Sequence, residues 1–180
     1  MGELVVVTGP PGAGKTSVAE RLATMRTASA LVPGDTFFAM IKNGYVPPWL
    51  PEARRQNEVI IEAAAAAASR LSEISFVVFE GIVGPWFLPA FVRAAQPADV
   101  HYVVLLPPLR ICIERVRSRG DHGFSDLAVT DDMYRQFLDA TIDARHLIIE
   151  PDAPPAQLAE LIIGKMNDGS LRIPSPGSRW

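Results

Sequence analysis

The chain has 180 residues, a formal net charge of -3, 48% hydrophobic and 21% charged residues, and a single cysteine. That length suits one domain, which at this size buries roughly 70% of the surface its unfolded chain exposes. The composition excludes whole-chain disorder and a disulfide scaffold, and the mild acidity argues against a duplex-DNA binder, which needs a basic face.

Leu4-Val5-Val6-Val7-Thr8 is a short apolar run closed by glycine and proline, the pattern of a parallel strand buried on both faces. Gly14 to about Met25 reads as a helix with Val18, Ala19, Leu22 and Ala23 on one face. Ala30-Leu31-Val32 predicts a second strand, followed by a short helix near Thr36–Lys42. The proline-rich loop Tyr45–Pro51 leads into a long alanine-rich helix from about Glu52 to Leu71. Phe76–Gly81 predicts a third strand, Trp86–Ala95 a helix and Val100–Leu106 a fourth strand. Pro108 opens a helix to about Arg119, in which Cys112 reads as a small core hydrophobe. Thr130 reads as the N-cap of the next helix, Leu147–Ile149 as a fifth strand and Pro154–Met166 as the closing helix.

Five alternations of strand and helix predict an α/β fold, with an open parallel sheet between two helical layers and a ligand edge at the carboxyl ends of the strands. The expected division is one domain over residues 1–168 and an irregular tail over 169–180. The longest apolar stretches fall far short of the roughly 20 residues of a membrane span. The Met-Gly-Glu start has no basic region before its apolar run, so a cytoplasmic protein is expected.

Gly9-Pro10-Pro11-Gly12-Ala13-Gly14-Lys15-Thr16 fits the phosphate-loop pattern Gly-x4-Gly-Lys-[Ser/Thr] in full, between a buried strand and a helix as the motif requires. Its glycines let successive amide N–H groups point inward at an anion, and the helix adds its positive end. Lys15 is expected at the β- and γ-phosphates and the Thr16 hydroxyl on Mg²⁺, with Ser17 beside them. The absence of an Asn-Lys-x-Asp segment favours ATP over GTP.

Asp35 follows the second strand, where a carboxylate can take the proton of an attacking hydroxyl; its position also suits a helix cap. Glu80 ends the third strand, where an acid can hold the water shell of Mg²⁺ or face the acceptor. Phe37, Phe38, Tyr45, Trp49, Trp86 and Phe87 follow strands two and three, which suits a small, partly apolar acceptor with hydroxyls. Of these, Phe38, Trp49 and Trp86 are expected at the acceptor. Arg54 and Arg55 open the long helix and could clamp an anionic group. Arg110, Arg115, Arg117 and Arg119 precede a polar glycine-containing loop, the composition of a flap that stabilises transferring phosphate, with an arginine one turn earlier free to stack on adenine.

Together these segments resemble the small P-loop kinases grouped with gluconate kinase, shikimate kinase and chloramphenicol phosphotransferase. The likeness rests on Gly9–Thr16, Gly34-Asp35 and Arg115–Phe124, and extends from about Leu4 to Met166. It implies a P-loop NTPase-type fold with a lid near residues 119–127, and an ATP- and Mg²⁺-dependent transfer of phosphate to a hydroxyl of a sugar acid, nucleoside or antibiotic. It assigns the acceptor hydroxyl to Asp35, the lid contact with phosphate to Arg119, adenine stacking to Arg115, and the rest of the adenine pocket to Glu150–Pro154, which includes Pro151 and Asp152. The loop Tyr45–Pro51 departs from the gluconate-kinase pattern, so the acceptor stays open. The expected partner is a small molecule rather than nucleic acid or membrane, with the chain acting as a monomer or homodimer. A polynucleotide end kinase and a regulatory ATP-binding module are the alternative readings.

Overall fold

The computed structural model describes residues 2–96, 98–118, 126–150 and 153–174. Five strands, β1 (Glu3–Thr8), β2 (Ser29–Pro33), β3 (Phe76–Glu80), β4 (Asp99–Leu105) and β5 (Leu147–Ile148), form one parallel sheet in the order β2-β3-β1-β4-β5. The helices are α1 (Lys15–Thr24), α2 (Gly34–Phe38), α3 (Arg54–Leu71), α4 (Leu88–Ala94), α5 (Leu109–Ser118), α6 (Leu127–Asp139) and α7 (Pro155–Asn167). Among the described residues, no helix is long and apolar enough to cross a membrane.

The central strand shows why its sequence is an unbroken apolar run. Side chains alternate across a strand, and both faces of β1 are covered. Leu4 and Val6 join the core under α3 and α4, against Ile61, Ala65, Phe79 and Phe91. Val5 and Val7 join the opposite core under α1 and α7, against Val18, Leu22, Leu158 and Ile162. The buried face of α3 is built largely from Ala64, Ala65 and Ala68, small side chains that let the helix lie close to the sheet. Cys112 is buried in α5 and burial pushes its thiol up to about 11, so it behaves as the core hydrophobe expected.

Several boundaries move. A 3-10 turn over Pro51–Ala53 precedes α3, α2 stops at Phe38, and α4 starts at Leu88 because residues 84–87 form a turn. The cap of α6 is Asp126 rather than Thr130. The Asp126 carboxylate accepts from the Ala128 and Val129 amides at 3.0 and 3.1 Å, while Thr130 is buried and donates to the Asp126 carbonyl at 2.8 Å. A carboxylate four residues upstream outcompeted the hydroxyl for the free amides of the first turn.

After α7 the chain returns to the sheet. β5 covers only Val104 and Leu105, and the rest of the β4 edge is taken by residues 171–173. The Tyr102 amide donates to the Leu171 carbonyl at 2.9 Å, and the Ile173 amide to Val100 at 2.8 Å. Leu171 is fully buried, and Arg172 pairs with Asp99 at 2.6 Å.

His146, just before β5, is buried between two fixed partners. Its Nδ1–H donates to the Tyr102 carbonyl at 2.9 Å, which leaves Nε2 to accept from Arg145 Nε–H at 3.1 Å. That tautomer is neutral, and burial first, then the Arg145 charge, holds the imidazole below its usual range against the opposing Tyr102 carbonyl and Asp143. The unfolded chain therefore binds the proton more readily. Stability is fully present above about pH 6.5 and falls as the pH drops toward the folded-state value. Buried His101 shifts in the same direction, mainly by burial, with Glu3 and Asp99 opposing. Urea unfolding at pH 7.5 and 5.5 should show lower stability at the acid pH, with His146→Gln reducing the difference.

Candidate functional site

The order of the sheet places three functional segments side by side. β3 lies between β1 and β2, and Glu80 at its end registers with Val7 on one side and Pro33 on the other. The phosphate loop begins two residues after Val7 and Asp35 lies two residues after Pro33, so both flank Glu80 across strand spacings of about 4.8 Å. Gly34 and Gly81 make the approach possible. A Cβ on Gly34 would lie 3.1 Å from the Phe79 ring and 3.2 Å from the Glu80 carbonyl oxygen, with the Gly81 Cα at 3.5 Å.

The loop itself is wrapped as the motif requires. Gly12 adopts φ 78, and a side chain there would run into the backbone carbonyl of Cys112 on α5. Gly9, Pro11, Gly12 and Ala13 are buried, Gly14 caps α1, and Thr16 and Ser17 lie exposed in its first turn. Lys15 Nζ donates to the Pro10 carbonyl at 3.0 Å, folding back over the loop it serves. Arg115 reaches the same loop from α5, its guanidinium donating to the Gly12 and Ala13 carbonyls at 3.5 and 3.4 Å. Arg110 and Arg117 are exposed on that helix.

One cavity of about 840 Å³ brings the expected residues together. Lys15 and Thr16 line it on the loop side; Asp35, Glu80 and Arg54 supply its other charges. Phe38, Trp49 and Trp86 contribute to its apolar wall, as do Phe87 and Tyr45. Glu80 is buried, while Asp35 is exposed in the first turn of α2, with Pro33 rather than Asp35 at the N-cap. The Tyr45 hydroxyl is held above its ordinary range, first by burial and then by the negative charge of Asp35. Arg55 points away and pairs with Glu58 at 3.0 Å on the outer face of α3, so only Arg54 of that pair lines the cavity. Phe37 packs into the core instead. Arg119, the rest of the expected flap through residue 125, and Pro151 and Asp152 lie outside the described residues.

Sequence reasoning missed the residues that hold the wall in place. Gln56 grips both backbone groups of Val46: its Oε1 accepts from the amide at 2.9 Å and its Nε2 donates to the carbonyl at 2.7 Å. The neighbouring Asn57 donates to the Pro48 carbonyl at 2.6 Å. The proline-rich loop is thereby fastened to α3 at two points. On the far wall, the Val83 amide donates to Thr8 Oγ1 at 2.9 Å and its carbonyl accepts from the Tyr102 hydroxyl at 2.8 Å. The available signal was two adjacent amide side chains following a loop rich in proline, whose backbone offers few donors of its own.

A glycine-rich anion loop at the end of the central strand of a parallel sheet, with carboxylates on the neighbouring strand ends, defines a P-loop nucleotide-binding α/β domain. The model of the AAA domain family matches residues 5–128, and the chain belongs to that family. Among curated proteins none matches. Solved structures share the fold at low identity. A tunicamycin resistance protein from Deinococcus radiodurans is 17% identical with a TM-score of 0.68, the match covering 97% of this chain and 99% of that one. A sugar kinase from Janibacter sp. HTCC2649 is 19% identical, TM-score 0.66, over 93% of this chain and 95% of that one. A gluconokinase from Sinorhizobium meliloti 1021 is 16% identical, TM-score 0.66, over 93% of each.

Replacing Gln56 with Ala removes both hydrogen bonds to Val46, a loss of about 1–3 kcal/mol at a part-buried site. Hydrogen exchange should quicken at residues 45–50 with the phosphate-loop amides unaffected.

Proposed function

We propose that this chain is an ATP-dependent phosphotransferase that moves the γ-phosphoryl group of ATP to a hydroxyl of a small molecule. The observation that carries this reading is the single cavity in which Lys15 and Thr16 of the phosphate loop meet Asp35, Glu80 and an apolar wall. An ATPase or switch needs the first part; a largely apolar cleft beyond it is what a second substrate needs. The likeness in fold to a sugar kinase and a gluconokinase supports the same reading.

In this reading the loop amides from Gly9 to Thr16, with Ser17, bind the phosphates, and Lys15 leaves the Pro10 carbonyl to pair with the transferring group. Asp35 accepts the proton as the acceptor oxygen forms its bond to the γ-phosphorus, while the bond from that phosphorus to the bridging oxygen breaks and ADP departs. Arg119 stabilises the charge spread over the transferring oxygens from the lid, and Arg115, already on the loop carbonyls, borders the nucleotide. Pro151 and Asp152 complete the adenine side. Thr16 and, through water, Glu80 form an all-oxygen donor set on the cavity wall, which fits Mg²⁺. When bound, the cation supplies charge neutralisation at the phosphate oxygens. Phe38, Trp49, Arg54, Glu80 and Trp86 bind the acceptor.

Asp35→Asn is expected to bind ATP as the wild type does, because Asp35 stands away from the phosphate loop, and to lose roughly 10²–10⁴-fold in transfer rate. Lys15→Ala is expected to lose both. Calorimetric ATP titration beside an ADP-release assay separates the two; transfer by Asp35→Asn at the wild-type rate removes the base assignment.

A further inference from the structure

Among the described residues, the cavity beyond the phosphate loop is too apolar and too poor in cations for a sugar acid. The whole cavity, phosphate-loop side included, has a volume of about 840 Å³, within the range of roughly 300–1,000 Å³ of pockets that hold drug-sized ligands. Among the described residues that line it, the charged ones are Lys15, Asp35, Arg54 and Glu80, and Lys15 belongs to the phosphate loop. A carboxylate-bearing acceptor would thus enter a chamber holding two carboxylates and one arginine at its edge, and would lose hydration without adequate repayment.

The apolar wall is held open rather than collapsed. Trp86 packs at 5.2 Å from the Phe137 ring and 6.4 Å from the Phe87 ring, centroid to centroid. Its indole also lies directly over Gly84, where any side chain would collide with the ring. Trp49 rides on the loop that Gln56 and Asn57 fasten to α3. Both tryptophans, with Tyr45 and Leu50, remain about 38–46% exposed around this one opening. Large apolar side chains left in water around a preformed cavity carry a free-energy cost that a covering ligand relieves.

We infer that the acceptor is an uncharged amphiphilic alcohol, whose hydroxyl end reaches Asp35 and whose aromatic or alkyl body lies along Trp49 and Trp86 and emerges past Tyr45 and Leu50. The inference rests on the phosphotransferase reading for the word acceptor, but its binding half can be tested without transfer. Phenyl and octyl β-D-glucopyranoside, below the micelle concentration of the latter, are matched against glucose and gluconate in the presence of Mg²⁺ and a non-hydrolysable ATP analogue. Binding is followed by tryptophan fluorescence and calorimetry. Both glucosides should bind at least 10-fold more tightly than glucose, and gluconate no better than glucose. Trp49→Ala and Trp86→Ala should each erase most of that advantage, and Trp49→Phe and Trp86→Phe should keep most of it. Unchanged thermal unfolding of each alanine variant shows that the loss is local.

Tighter binding of gluconate, equal binding of the glucosides and glucose, or an advantage that survives both alanine variants overturns the inference. Tryptophan-dependent binding of the glucosides with no ADP released from ATP in their presence upholds the amphiphile-binding wall and counts against the transfer reading instead, so the two failures are distinct.

Discussion

The ligand edge of this protein depends on one ladder of parallel backbone hydrogen bonds, the register that sets Glu80 between Val7 and Pro33. Because β3 is inserted between β1 and β2, these two strands, consecutive in sequence, are separated in space by one strand, and the loops that follow them open onto a common crevice. A slip of one residue in β3 would turn its inward side chains outward and displace Glu80 by about 3.3 Å. The buried apolar faces of β1 and β3 therefore determine where Glu80 stands.

Upon that frame, the walls are fixed by contacts of a different kind. Side-chain amides of Gln56 and Asn57 take up the backbone groups of a loop that cannot pair with a strand, and Thr8 and Tyr102 do the same for Val83 on the opposite wall. Each contact satisfies a loop backbone group with a side chain from a helix or strand, which ties the loops to rigid elements and leaves their aromatic side chains to face the opening. Shape in the aromatic half of the cavity is thus maintained by hydrogen bonds, while its surface toward the opening is apolar.

The parts of this arrangement that were legible in the sequence are those encoded by local pattern. Short apolar runs predicted all five strands, and the phosphate loop carries its chemistry in eight consecutive residues. Asp35, Glu80, Trp49 and Trp86 could be placed at the strand ends because parallel sheets present their carboxyl ends to ligands. What stayed hidden depends on distance in the chain. Gly84 reads as an ordinary turn glycine until the indole of Trp86 is seen lying on it, and Gln56 as a surface residue until Val46 is seen beside it. The cap of α6 fell to Asp126 instead of Thr130 because Asp126 has the extended backbone of a cap, with its carboxylate on the Ala128 and Val129 amides, while Thr130 lies inside the helix.

The strap formed by residues 171–173 bears on the behaviour of the protein in solution. β5 is only two residues long, so without the strap the amides and carbonyls of β4 from Val100 to Tyr102 would stand open beside apolar side chains. An open edge of that kind is a template for the strand of another molecule, and self-association follows from it. Here Leu171 and Ile173 fill those positions from within the same chain, antiparallel to the rest of the sheet. The protection of that edge is thus written into residues 171–173. Because the strap pairs with the beginning of β4, it does this at the end of the sheet opposite the phosphate loop, where shortening or tagging the C-terminus would alter aggregation before it altered ligand binding.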